Sequence, residues 1–304
     1  MEVFRDTGQR WRQARRRYGW LDHSARATRR MADRHGERLA AALAYYAFFA
    51  AFSLSGLGFA ILGWLLREDS PASLAAQRWV YRNLPWMDVP VLVEASARVG
   101  VIALIALVIA GLAWVRGLRS AVRTVWRLDA TPGRFPVRIA FDLAVLVGFC
   151  VLLVVSVGMA VAVSAAVRWL VVDAAGVDGS GRLVVPTVSF LLALAVNTLL
   201  AMVLLSVLPR IRMPVRRLLG PALLVAVGLE LLKTVGRLYL ERSVANPVYQ
   251  AVGSAVGLLL FLYLLNQVVL FAAALTATSD YGEAVDLASG AGRRGSVTDA
   301  DQHQ

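Results

Sequence analysis

Glu230, Lys233, Arg237 and Glu241 follow one another at intervals of three, four and four residues, which sets all four on one face of an α-helix. The segment that carries the first three, Leu218 to Leu240, is otherwise largely apolar. Ionisable groups at mid-membrane depth are costly and face a protein interior or a water-filled cavity. Two chemistries are open to such a stripe. Glu230 and Lys233 can form an ion pair that locks a helix bundle, or they can line a transport or proton-relay pathway. Covalent catalysis has little to work with. The histidines stand at 23, 35 and 303, none at a metal-chelating spacing, and no Ser-His-Asp set or Gly-rich phosphate loop is present. The single cysteine, Cys150, lies in an apolar stretch and reads as a small core residue. No catalytic residue, metal or cofactor is expected, and the chain reads as a non-enzyme.

These residues need a membrane to position them. Of 304 residues 58% are hydrophobic and the mean hydropathy is +0.62, too apolar for a soluble core-and-surface protein of this size. Crossing the hydrocarbon core takes about 20 apolar residues, because lipid offers no partners for backbone N–H and C=O groups. Six segments qualify: 39–66, 99–115, 143–167, 183–208, 218–240 and 248–278, the second able to begin near Val89. The expected fold is an all-α, polytopic six-helix transmembrane bundle over 36–282. A basic segment, 1–35, precedes it, and a Gly-, Ser- and Asp-rich tail, 283–304, is expected to be disordered. With these span ends, Asn197, Glu230 and Asn266 fall at matching depth, with Gln267 beside them. Polar side chains at one level can form a midplane site or hold helices together by hydrogen bonds. Depth alone favours neither.

Lysine and arginine counts set the orientation. Residues 1–38, 116–142, 209–217 and 279–304 together hold 23, against 9 in 67–98, 168–182 and 233–246, even with the membrane-embedded Lys233 and Arg237 counted among the 9. Basic residues are retained in the cytoplasm, so both termini are expected there, in a bacterial inner membrane. The 38 mostly polar residues before the first apolar run are too long and charged for the n-region of a cleaved signal, so that run is expected to stay as an anchor. The net charge of +12 points to anionic lipid rather than nucleic acid, because the arginines sit between spans. Arg10, Trp11, Arg12, Arg15, Arg16, Arg17 and Trp20 suit a helix lying on an anionic membrane surface, or a solvated basic tail. Trp79, Tyr81 and Trp86 suit a helix at the opposite headgroup level.

Small residues mark where backbones can approach. Ala47, Ala51 and Ser55 recur every four residues, and Gly253 and Gly257 make a GxxxG. Internal packing is the expected use, with homo-oligomerisation the alternative.

The run from Arg38 to Phe49, Arg-Leu-Ala-Ala-Ala-Leu-Ala-Tyr-Tyr-Ala-Phe-Phe, resembles the first-span signature of the YihY/BrkB family of bacterial inner-membrane proteins. Leu219-Gly-Pro-Ala-Leu-Leu224 followed by Glu230-Leu-Leu-Lys233 is similar to the family's fifth span. Asn246-Pro-Val-Tyr249, Gly253 and Tyr263 resemble its last. The resemblance covers roughly residues 36–280. The chain departs from the pattern at Ser53, where a proline is usual, at Gln250, where a glycine is usual, and at Ala272-Ala273-Ala274, which stands for a closing Gly-Ala-Glu. A family carboxylate is thus missing at Ala274. The resemblance implies a role in the cell envelope, read here as movement of a lipid or other amphipathic molecule, or as a non-transporting scaffold. The ribonuclease label attached to the family does not suit this chain, whose connections expected in the cytoplasm offer mainly arginine rather than the carboxylates that phosphodiester hydrolysis requires.

Overall fold

The computed structural model describes residues 19–67, 73–74, 77–78, 89–132, 135–168, 181–242 and 247–288. Among these residues seven helices carry most of the structure: α1 (Gly19–Asp33), α2 (Gly36–Leu65), α3 (Val89–Val125), α4 (Phe135–Arg168), α5 (Gly181–Met202), α6 (Val215–Arg242) and α7 (Pro247–Ala277). Among the described residues, helices α2 to α7 are the six that are long and apolar enough to cross a membrane. The 30 residues of α2 alone rise ~45 Å, more than the ~30 Å of a hydrocarbon core. The fold is the all-α polytopic bundle expected. Large apolar side chains such as Phe52, Ile102 and Val154 stand exposed along its flanks, as suits surfaces that face lipid.

The helices overrun the expected spans at the arginine-rich end. Helix α3 continues to Val125 through Arg116, Arg119 and Arg123, and α4 starts at Phe135, with Pro136 in its first turn, where a missing N–H costs no helix hydrogen bond. Helix α5 passes into a π-helical turn at Val203–Val207. Residues 1–18, with the Arg10 to Arg17 cluster, lie outside the described residues, as do Trp79, Tyr81, Trp86 and residues 289–304. The described part of the N-terminal segment is the amphipathic α1, which buries Ala27 and Met31 and leaves Trp20 exposed.

Helix α2 packs most extensively on α3, and α7 lies against α2 and α6. Helix α4 meets its neighbours α3 and α5 only sparsely. The tight α2–α3 contact rests on reciprocal small residues. A Cβ added at Gly56 would stand 3.2 Å from the Ala103 Cβ, and one added at Gly100 would stand 3.1 Å from the Ala60 Cβ. Close backbone approach of this kind substitutes packing for the hydrophobic force that lipid does not provide. Ala47 is buried on this helix, Ala51 is half-buried, and Ser55 is exposed, with its hydroxyl donating to the Ala51 carbonyl at 3.0 Å. A four-residue repeat drifts about 40° per step around a 3.6-residue helix, so Ser55 stands about 80° round the helix from Ala47. Gly253 and Gly257 are half-buried on α7.

Residues 283–288 correct the expectation of a structureless tail. Val285–Asp286 pairs antiparallel with Ile211–Arg212, and the Leu287 N–H donates to the Arg210 carbonyl at 3.0 Å. This strand pair, α1 and the ends of α3, α6 and α7 share one end of the bundle, called the basic end below. The His23 Nε2 lies 2.9 Å from the Leu275 carbonyl, and Arg26 bridges Asp22 and Asp280.

Candidate functional site

Glu230 lies 15 residues from the first residue of α6 and 12 from the last, near the middle of a helix that crosses the bundle. Its carboxylate Oε1 accepts hydrogen bonds from Lys233 Nζ at 2.5 Å and from Asn197 Nδ2 of α5 at 2.6 Å. The first bond follows from helix geometry, which stacks residues three apart. The second ties α5 to α6. The Thr234 hydroxyl turns back on the Glu230 carbonyl at 2.9 Å and adds no contact to another helix. Glu230 keeps 18% of its side chain exposed and Lys233 43%, so the carboxylate is mostly covered while the ammonium is open. Arg237, one turn further on, is exposed. Nothing of Glu241's side chain is described.

The other two members of the expected polar level turn away. Asn266 is buried and its amide donates to the Leu262 carbonyl of its own helix at 2.7 Å. Gln267 donates to the Tyr263 hydroxyl, also at 2.7 Å. The geometry therefore joins Asn197, Glu230 and Lys233, and leaves Asn266 and Gln267 bonded along α7. At the position of the missing family carboxylate, Ala272, Ala273 and Ala274 are fully buried. A carboxylate at Ala274 would stand in the packed core of α7, and nothing in the structure shows Glu230 taking its place.

A second ionic cluster, at the basic end, was not foreseen as a site. Asp142 is wholly buried at the start of α4, and both its oxygens face Arg119, at 3.0 and 3.1 Å, with Arg116 at 3.5 Å. Arg123 is more tightly held. It donates to both oxygens of Asp286, at 2.8 and 3.0 Å, and to the carbonyls of Asp129 and Pro209 at 2.6 and 2.8 Å. A planar guanidinium can fill a fork of this kind where an ammonium cannot. Burial pushes the Asp286 carboxyl up, but the hydrogen bonds from Arg123 and the Ala288 N–H, with the Arg123 charge, outweigh it and hold the group below the ordinary carboxylate range.

Arg217 completes the cluster's frame. It caps the end of α7 through the carbonyls of Thr276, at 2.7 Å, and Ala277, at 3.4 Å, it donates to the Gly282 carbonyl beyond at 2.8 Å, and its guanidinium lies 5.2 Å from the Trp126 ring centre. Gly282 sits at φ 68° with Pro214 close behind, where a Cβ would approach the Pro214 Cγ to 2.8 Å. Only glycine suits both demands. One sequence signal could have revealed this cluster. Arg116, Arg119 and Arg123 recur at three and four residues, a helical stripe of charge aimed at the lone Asp142.

The Virulence factor BrkB family model matches residues 27–294. An uncharacterized protein of Dickeya dadantii (strain 3937) is 27% identical over 286 residues, covering 86% of this chain and 87% of that protein. The inner membrane protein YhjD of Escherichia coli (strain K12) is 26% identical over 277 residues, covering 86% of this chain and 82% of that protein. No solved structure matches the chain. A match that runs from the middle of α1 past the β strand at Val285–Asp286 takes in all six spans and both ionic clusters, and the chain belongs to the Virulence factor BrkB family as a multi-pass membrane protein.

Proposed function

We propose that this protein sits in the bacterial inner membrane with both termini in the cytoplasm and moves a lipid or another amphipathic molecule, using Asn197, Glu230 and Lys233 as a polar step within the bilayer. The placement is supported by the arginine count of the basic end and by the naming of the E. coli relative as an inner membrane protein. The movement is supported chiefly by one observation. An ion pair in mid-helix leaves 43% of its lysine side chain exposed, where a pair serving only to fasten helices is covered on both sides. An ammonium reachable at that depth can meet the anionic headgroup of a passing lipid, while Glu230 holds it in place and Asn197 holds Glu230. The activity is binding and movement, with no covalent step.

Translocation of a fluorescent phospholipid analogue across liposomes holding the purified protein tests this. Wild type is expected to move the analogue, and Glu230→Gln at equal reconstitution to abolish the movement. Equal rates in both would sink the polar pathway.

A scaffold reading has its own support, since Asn266 and Gln267 spend their amides along α7 rather than toward Glu230. On that reading Glu230→Ala lowers the amount of folded protein. A transporter would lose activity at unchanged abundance.

A further inference from the structure

At the basic end a small open cleft lies between the last turns of α3, the first turn of α4 and the 209–210 corner. Among the described residues four arginines line it, Arg119, Arg123, Arg138 and Arg210, and no carboxylate does. Their partners are unequal. Arg119 is matched by Asp142 and Arg123 by Asp286. Arg138 donates to the Thr131 carbonyl at 3.2 Å and lies over the Phe135 ring, and Arg210 stacks on Phe141 with its guanidinium carbon 4.0 Å from the ring centre. Neither has a carboxylate within ion-pair distance among the described residues.

Arg119 supplies an independent sign of a missing partner. Only 7% of its side chain is exposed, and its Nε–H is buried with no hydrogen-bond acceptor. A charged donor left unmatched in a buried place is costly, and the nearby Asp142 Oδ1, itself without a hydrogen bond, lies 3.0 Å from Nη1 of the same guanidinium rather than bonding its Nε. Arg123, Arg138 and Arg210 also stand close enough to Arg119 to repel it. The repulsion and the idle donor are relieved together by one anion. A tetrahedral oxyanion presents several acceptor oxygens to guanidinium groups arriving from different helices, which a single carboxylate cannot match in number.

We propose that this cleft binds a phosphate group, either the headgroup phosphate of an anionic phospholipid or a soluble phosphate. Arg138 and Arg210 supply the charge, Arg119 supplies its idle Nε–H, and Arg123 forms the wall. The aromatic faces of Phe135 and Phe141 hold the two unpaired guanidinium groups ready without neutralising them. The site is separate from Glu230 and stands or falls without it.

The test uses the full chain in neutral detergent and follows its thermal unfolding in two arms at matched ionic strength. One arm adds inorganic phosphate, and the other adds short-chain phosphatidylglycerol with phosphatidylcholine as its neutral control. A ligand that binds only the folded protein raises the unfolding temperature as its concentration passes the dissociation constant. Stabilisation by phosphate marks a soluble ligand, and stabilisation by phosphatidylglycerol alone marks a lipid headgroup. Either result must weaken in the double variant Arg138→Gln, Arg210→Gln by roughly tenfold or more in apparent affinity, since each charge-assisted hydrogen bond contributes about that much. Neither substitution removes a partner that forms an ion pair with Asp142 or Asp286, since those partners are Arg116, Arg119 and Arg123. No stabilisation in either arm, or stabilisation that the double variant retains in full, overturns the proposal.

Discussion

The two ionic clusters of this bundle are built to opposite plans. At mid-membrane, Glu230 and Lys233 come from one turn of α6, and the lysine is left open. At the basic end, Arg123 and Asp286 stand 163 residues apart, and the arginine is 1% exposed, with four of its five N–H groups engaged. A local pair needs no tertiary structure to form and can fix little of it. A distant, covered pair can form only when the chain has folded, so its free energy is spent on the fold itself. The contrast separates a fastening from a group kept available.

The largest effect is expected from Arg123→Met, which takes the guanidinium away from the Asp286 carboxylate and from two carbonyls in a dry place. Breaking one side of a buried pair costs about 3–5 kcal/mol. Thermal unfolding in detergent should show a large loss, or the protein should fail to accumulate in the membrane. A loss no greater than that from an exposed arginine such as Arg127 would remove the contrast.

A smaller effect comes from acid. The folded Asp286 carboxyl lies below its ordinary value, so its stabilising contribution is complete above the unfolded pKa and is lost as pH falls through the folded one. Stability measured downward from pH 5 should therefore decline in wild type. In Asp286→Asn that part of the decline should be missing, and the variant should be less stable than wild type by about 1–3 kcal/mol at neutral pH. Parallel profiles for the two proteins would mean that the pair is not formed in solution.

The smallest effect on stability is expected from Lys233→Met. Exposed pairs contribute about 1 kcal/mol or less, so unfolding should barely move while lipid movement is lost. A loss of more than about 2 kcal/mol would transfer this pair to the fastening class.

Hydropathy made the six spans legible because lipid forces every spanning backbone to satisfy itself within a helix. Helical spacing made the Glu230–Lys233 contact legible, and depth matching brought Asn197 to the same level. Depth carries no information about azimuth, and Asn266 and Gln267, at that level too, point along α7 instead. The Arg123–Asp286 latch was hidden for a different reason. Its carboxylate sits in a stretch rich in Gly, Ser and Asp, where composition argues against order, and the order comes from a two-residue strand pairing that no periodicity announces. Ser55 is exposed where Ala47 is buried because a four-residue repeat drifts around a helix that turns every 3.6.

The strand pairing at Ile211–Arg212 and Val285–Asp286 also gives the molecule a sense of time. Arg123 leaves the ribosome 163 residues before Asp286, an interval on the order of ten seconds at usual synthesis rates. Throughout that wait its guanidinium lacks the carboxylate it is shaped to hold, and four further spans must enter the bilayer before the partner arrives. The clasp closes last, so a bundle whose basic end is shut is one whose insertion has run to the end of α7.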